Sequence, residues 1–303
     1  MTYQYSFKDC LQRAERISWR VEDLIGADKT LNFSLPFMPE TLARTAALPF
    51  LSSDEQLTLN QIRGHAYLAI FGVVEEFILP FVVEHARPYL TGEEYRARAY
   101  LEFAAEEAKH IHLFRRFREA FTDGFGTECE VIGPSADIAS HVLSQLPLSV
   151  ALLTLHIEWM TQRHYQESVQ ADAGLDPQFK NLLLHHWMEE LQHAQLDTLM
   201  VRTIASVMSP AEIQAGIEGY LALGGFLDEG LRQQVALDLA SLERATGRRL
   251  SEEETRAFIA SQHQANRWTY IGSGMTHPKF LETIGELSPP MRRTIEATAP
   301  AFA

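Results

Sequence analysis

Residues 183–199, LLHHWMEELQHAQLDTL, carry His186, Glu190 and His193 at i, i+4 and i+7. On a helix of about 3.6 residues per turn these three side chains stack on one face. Upstream, FAAEEAKHIHLF repeats part of the pattern, with Glu107 and His110 in the same Glu-x-x-His spacing as Glu190 and His193. Carboxylate oxygens are hard donors that can bridge two metal ions, and imidazoles complete each ion's sphere. Two Glu-x-x-His helices, plus one lone Glu on each of two further helices, make the ligand set of a two-metal carboxylate bundle.

That chemistry requires two more helices, each with an inward acid. The segment from about Asp54 to His85 opens on Ser52-Ser53-Asp54-Glu55, a helix start, and is apolar nearly all round through its middle. It offers Glu75 and Glu76. With Asn60, Arg63, Glu84 and His85 taken as the solvent side, Glu76 lies nearly opposite them and Glu75 toward the flank. Glu76 is therefore the expected ligand, with Glu75 as the alternative. A further helix within about 149–170 holds one acid in its apolar half, Glu158.

The remaining elements follow from punctuation and pattern. Residues from about Phe7 to Asp28 read as a helix with Leu11, Ile17, Val21 and Leu24 as its stripe. Pro36, Pro39 and Pro49 make residues 31–56 an extended arm. Thr91 and Glu94 form a capping-box pattern ahead of a helix to about Phe121, and Gly124, Gly126 and the stretch to Pro134 read as a loop. Gln178 to Val207 carries the opening motif. Helices at about 210–245 and 251–265 follow, and the last 40 residues read as irregular or short helices. No run alternates as a strand would. The expected fold is all-α: one domain over 1–303, with a four-helix bundle core at about 54–207 and additional flanking helices.

Glu and His also decorate solvated helix faces, so one such motif says little. Two copies, each inside an apolar helix, say more, because a buried carboxylate without a partner is costly. Asp197, one turn past His193, could accept a hydrogen bond from a ligating imidazole, and reads equally as a surface acid. His65, His112, His156, His164 and His185 read as structural or exposed. Phe71, Phe103, Leu152 and Met160 are candidate pocket walls.

The order Glu76, Glu107-x-x-His110, Glu158, His186-x-x-x-Glu190-x-x-His193 follows the general pattern of ferritin-like di-iron proteins. With its third histidine, His186, it resembles the p-aminobenzoate N-oxygenase (arylamine N-oxygenase) family over roughly residues 60–200. The resemblance implies a ferritin-like fold, two iron ions, O2 as co-substrate, an external electron donor, and oxidation of an amine at nitrogen. The chain departs from other relatives. Phe114 stands where many ribonucleotide reductase small subunits keep a radical tyrosine. Leu79 and Leu153 stand where the related ligand-binding oxidases cross-link a valine to a tyrosine.

Three readings of function remain open: an amine-oxidising di-iron monooxygenase; a C–H hydroxylase, desaturase or deformylase acting on a hydrophobic substrate; and a non-enzymatic iron- or manganese-handling protein. Spacing does not choose the metal, so manganese or a mixed Mn/Fe pair fits equally. The formal net charge of −14 argues against nucleic acid as a partner. Residues 66–83, broken by Glu75, Glu76 and Pro80, read as a buried helix and not a membrane span. Two cysteines without metal spacing, and an N-terminus without a signal pattern, lead us to expect a cytoplasmic protein. Acidic helical chains of this size often dimerise, and a homodimer is an open expectation.

Overall fold

The computed structural model describes residues 5–26 and 28–303. Four long helices form the centre: α3 (Ser53–Ala86), α4 (Glu94–Phe125), α6 (Pro147–Arg163) and α7 (Pro177–Ala205). Around them lie α1 (Phe7–Ala14), α2 (Glu40–Ala43), α5 (Ser135–Leu143), α8 (Pro210–Thr246), α9 (Glu252–Arg267) and the short α10 (Ser273–Met275), α11 (Pro278–Leu287) and α12 (Pro289–Thr298). No β-strand occurs among the described residues. α3 packs chiefly along α4, and α6 along α7.

Local chemistry sets the ends of the central helices. Ser52 accepts from the Glu55 amide while the Glu55 carboxylate accepts from the Ser52 amide, closing a capping box on α3. Asp176 caps α7 through the Phe179 amide at 2.6 Å, and Pro177 fills a first-turn position that needs no donor. Thr91 does not cap α4. That helix begins at Glu94 after Glu93, without a side-chain cap, and runs to Phe125. α3 is the one described helix long and apolar enough to cross a membrane, yet 67% of its most apolar window is buried inside the protein.

The N-terminal stretch departs from expectation. α1 stops at Ala14 and a second, 3₁₀ turn covers only Val21–Asp23. Between them the chain delivers Trp19 onto His110, with ring centroids 6.1 Å apart and planes 11° apart. The arm expected over 31–56 ends at α3, which starts at Ser53, and is not extended throughout: it holds α2 and a 3₁₀ turn at Thr45–Ala47. It docks through Asn60, whose Oδ1 accepts from the Phe37 and Met38 amides at 2.8 and 3.0 Å, and through Phe37, stacked on Phe179 at 5.1 Å. α5, which the loop reading did not extend to, follows Pro134 directly.

α8 lies against both α6 and α3. Gly216 lets it approach α6 closely: a Cβ there would stand 2.6 Å from Leu148 Cδ2, and Ser149 Oγ donates to the Gly216 carbonyl at 2.8 Å. α6 ends in a π-helical turn, His164–Val169. There His164 joins Tyr67 Oη (3.2 Å) and Ser273 Oγ (3.0 Å), tying α3 and the C-terminal segment to the bundle.

Candidate metal centre

The interior of the bundle holds two overlapping groups of buried side chains, Glu75–His110–His186–Glu190 and Glu107–His110–Glu190–His193. Within each group the ligand atoms lie within 4.8 Å of one another. His110 and Glu190 are common to both, and the two oxygens of Glu190 have different neighbours. Oε1 lies 2.6 Å from His186 Nε2 and 3.3 Å from His110 Nδ1, while Oε2 lies 3.2 Å from His193 Nδ1. Glu75 Oε1 is 3.4 Å from His186 Nε2 on the first side, and Glu107 Oε1 is 2.9 Å from His193 Nδ1 on the second. Glu158 closes the second side more loosely, its Oε2 4.0 Å from His193 Nδ1.

The structure turns Glu75 inward, 3% exposed, and leaves Glu76 on the surface. The expectation for Glu76 failed because Asn60 and Arg63 do not mark a solvent face: both are buried under the arm and the C-terminal helices. Arg63 bonds Asn266 and the Leu42 carbonyl. A helical wheel referenced to two buried polar residues puts the wrong acid inside. Glu76 instead lines a surface groove with Arg115 and Arg118.

The imidazole of each Glu-Glu-x-x-His motif is held from behind by a carboxylate of the other motif. His110 Nε2 pairs with Glu189 Oε2 at 2.9 Å, and His193 Nε2 with Glu106 Oε2 at 2.7 Å. Lys109 in turn holds Glu189 and lies over the Trp19 ring at 4.0 Å. Such outer carboxylates fix the tautomer, leaving Nδ1 of both rings directed at the centre. Sequence reasoning passed over Glu106 and Glu189; the doubled acid in each motif was the available signal. Asp197 does not take the role expected of it. It is buried, neither of its oxygens has a hydrogen-bond partner, and His193 is already bonded to Glu106.

Burial lowers the affinity of His110 for a proton, but Glu189, Glu75 and Glu190 outweigh it and hold the imidazole up at about 9. His193 is likewise pulled down by burial and pushed well up by Glu190 and Glu106. Burial, then the charge of Glu190, drive Glu158 well above the carboxylate range. Asp197 is raised by burial against the opposing pull of His193.

These residues fit two metal ions. Both oxygens of Glu107, Oε2 of Glu75 and of Glu158, Oε1 of Glu190 and Nδ1 of His110 are buried without an aligned hydrogen-bond partner. Leaving one buried polar group unmatched costs about 1–3 kcal/mol, so six converging atoms left so are far beyond an ordinary core. Two cations at the Oε1 and Oε2 sides of Glu190 would satisfy them together. The centre is walled by aromatic rings: Phe103 stacks on His193 at 4.0 Å, and Phe71 and Phe114 stand edge-on to His186 at 5.4 and 5.0 Å. Of the expected pocket walls, Phe71 and Met160 line a mostly apolar cavity beside the bundle, whereas Phe103 stacks on His193 and Leu152 lies in the packed core.

No family model matches the chain. No curated protein matches it either. Among solved structures it is similar to R2-like ligand-binding oxidase variants. One, with an aerobically reconstituted Mn/Fe cofactor, is 16% identical, with 89% of this chain and 95% of that chain covered and a TM-score of 0.44. A second, with an anaerobically reconstituted Mn/Fe cofactor, gives 16%, 89%, 94% and 0.49. A third carries an aerobically reconstituted Fe/Fe cofactor, at 16%, 89%, 94% and 0.46.

Proposed function

We propose that this chain is an O2-dependent oxygenase with two metal ions, iron in the first instance, and that it oxidises an amine at nitrogen. The observation that carries the metal reading is the shared Glu190 between two groups of four buried ligands. Glu75, His186 and His110 would hold one ion, and Glu107, His193 and Glu158 the other, with Glu190 between them. When bound, the metal pair would supply the redox and Lewis-acid chemistry needed to activate O2.

The protein's own residues do the rest. Glu189 and Glu106 keep the Nε2 protons of His110 and His193, so that both rings present Nδ1 inward. Phe71, Phe103 and Phe114 exclude water from the centre. Overall, an amine, O2, two electrons from an external donor and two protons give a hydroxylamine and water.

The reading of nitrogen as the oxidised atom rests on the third histidine, His186, whose Nε2 reaches Glu190 at 2.6 Å. The test is metal content and optical spectrum after anaerobic Fe(II) loading and an O2 pulse, followed by turnover of arylamines with product mass analysis. Two irons per chain and a product heavier by one oxygen support it. Two metals with no O2 reactivity would leave only a metal-handling role.

A further inference from the structure

A cavity of about 320 Å³ lies beside α3 and α6, roofed by α5 and the middle of α8. That is within the range of sites for small organic ligands. Its floor is Ile70, Phe71 and Val74 of α3 with Ile157 and Met160 of α6. These side chains flank Glu75 and Glu158 in sequence. Phe71 is both floor and partition: its ring stands edge-on to His186 at 5.4 Å between centroids. A flat molecule on this floor is therefore one side chain away from the centre.

The mouth is polar and differs in charge from the groove beside it. Asp137, His141, Glu229 and Gln233 line it, and no lysine or arginine does. Glu229 is engaged by Arg232 at 2.6 Å, whereas Asp137 is exposed and has no ion-pair partner among the described residues. His141 lies against Phe226 across the opening, with centroids 4.2 Å apart. Arg115 and Arg118 belong to the neighbouring groove, on the other side of Ile132–Pro134.

We propose that this cavity is the substrate site and that it selects flat apolar amines whose outer end is neutral or cationic, against those bearing a free carboxylate. The aromatic face lies on the aliphatic floor, the amine points toward Phe71, and the outer end meets Asp137. A carboxylate at that end would face an unpaired acid, with no cation lining the cavity to offset it. The inference names the substrate class for the amine reading above and rests on it.

The test is anaerobic equilibrium dialysis of the metal-loaded full chain with 4-aminobenzamide and 4-aminobenzoate at pH 8. We expect the amide to bind at least about ten-fold more tightly. Asp137→Lys, at an exposed position, should erase or invert that preference. Gly230→Leu should weaken both ligands at least about ten-fold with unchanged metal content and helicity. A Cβ at Gly230 meets only Ile132 Cδ1, at 3.8 Å, so the longer side chain enters the mouth without displacing backbone. Equal or tighter binding of the benzoate, indifference to Gly230→Leu, or binding of neither ligand would overturn the proposal. If the amide binds as expected but is not oxidised when O2 and reductant are supplied, the site stands and the nitrogen-oxidation reading falls. If the amide is oxidised without the charge preference or the Gly230 effect, the reverse holds.

Discussion

His110 and Glu189 belong to different Glu-Glu-x-x-His motifs, 79 residues apart, yet His110 Nε2 and Glu189 Oε2 meet at 2.9 Å in the middle of the bundle. His193 and Glu106 repeat the contact in the opposite sense at 2.7 Å. In each motif the second acid faces the proposed metal pair, and the first crosses to orient the other motif's imidazole. The two helices are thereby tied to each other through the ligands' outer partners.

Replacing that outer acid should weaken metal binding without removing a ligand. Glu189→Gln and Glu106→Gln are each expected to lower metal affinity by about 10–100-fold, read by competition with a calibrated chelator. Helicity should be unchanged. Affinity within two-fold of the parent in both variants would show that the crossed contacts do not orient the rings.

The two adjacent acids of α3 should behave oppositely. Glu75→Ala removes a buried carboxylate from the Oε1 side of Glu190 and should cost about one of two metals per chain, read by elemental analysis after Fe(II) loading. Glu76→Ala removes an exposed side chain and should leave the stoichiometry at two. The reverse outcome would return Glu76 to the ligand set and require α3 to rotate.

His186→Ala should change the optical spectrum of the iron-loaded protein and reduce oxidation, because His186 Nε2 is the ring atom nearest Glu190 Oε1, at 2.6 Å. Unchanged spectrum and turnover would make His186 a packing residue against Phe71 and Phe114, and would remove the chief support for nitrogen oxidation.

Away from the centre, Asp238 gives a pH prediction. Burial raises its carboxyl from 3.8 to about 6, against the pull of Arg63 and the Gln234 amide bonded to it at 2.7 Å. The folded state thus holds a proton that the unfolded chain releases between those values. Stability should fall as pH climbs from 3.8 to about 6 through this group, and the loss should persist above. Asp238→Asn should therefore raise stability at pH 8 by on the order of 1–3 kcal/mol and flatten the dependence, measured by urea unfolding at pH 5 and pH 8. Equal denaturation midpoints for variant and parent at pH 8 would contradict it.

The approach of α8 to α6 depends on a missing side chain. Gly216→Ala puts a Cβ 2.6 Å from Leu148 Cδ2 and 2.9 Å from Leu148 Cβ. Overpacking of this kind costs about 1–3 kcal/mol, outweighing the helix propensity gained. A variant as stable as the parent in thermal unfolding would mean the two helices separate freely here.

The sequence alone carried the helical fold and most of the proposed centre. Glu107, His110, Glu190 and His193 were readable because a helix's own geometry places i, i+3 and i+4 on one face, whatever it packs against. Glu158 was readable as a lone acid in an apolar helix, and the helix start at Ser52 because its cap acts within one turn of chain. Only the tertiary structure decided what depends on a neighbour. The choice of Glu75 over Glu76 turned on the arm burying Asn60 and on the C-terminal segment engaging Arg63, and no wheel drawn on α3 alone contains those contacts. The crossed pairs His110–Glu189 and His193–Glu106 exist only once α4 and α7 face each other. Trp19 reaches His110 because the predicted first helix breaks after Ala14, where packing onto the bundle outweighs local helical preference. A helix's period fixes which side chains travel together. What they meet is set by helices brought beside them from distant parts of the chain.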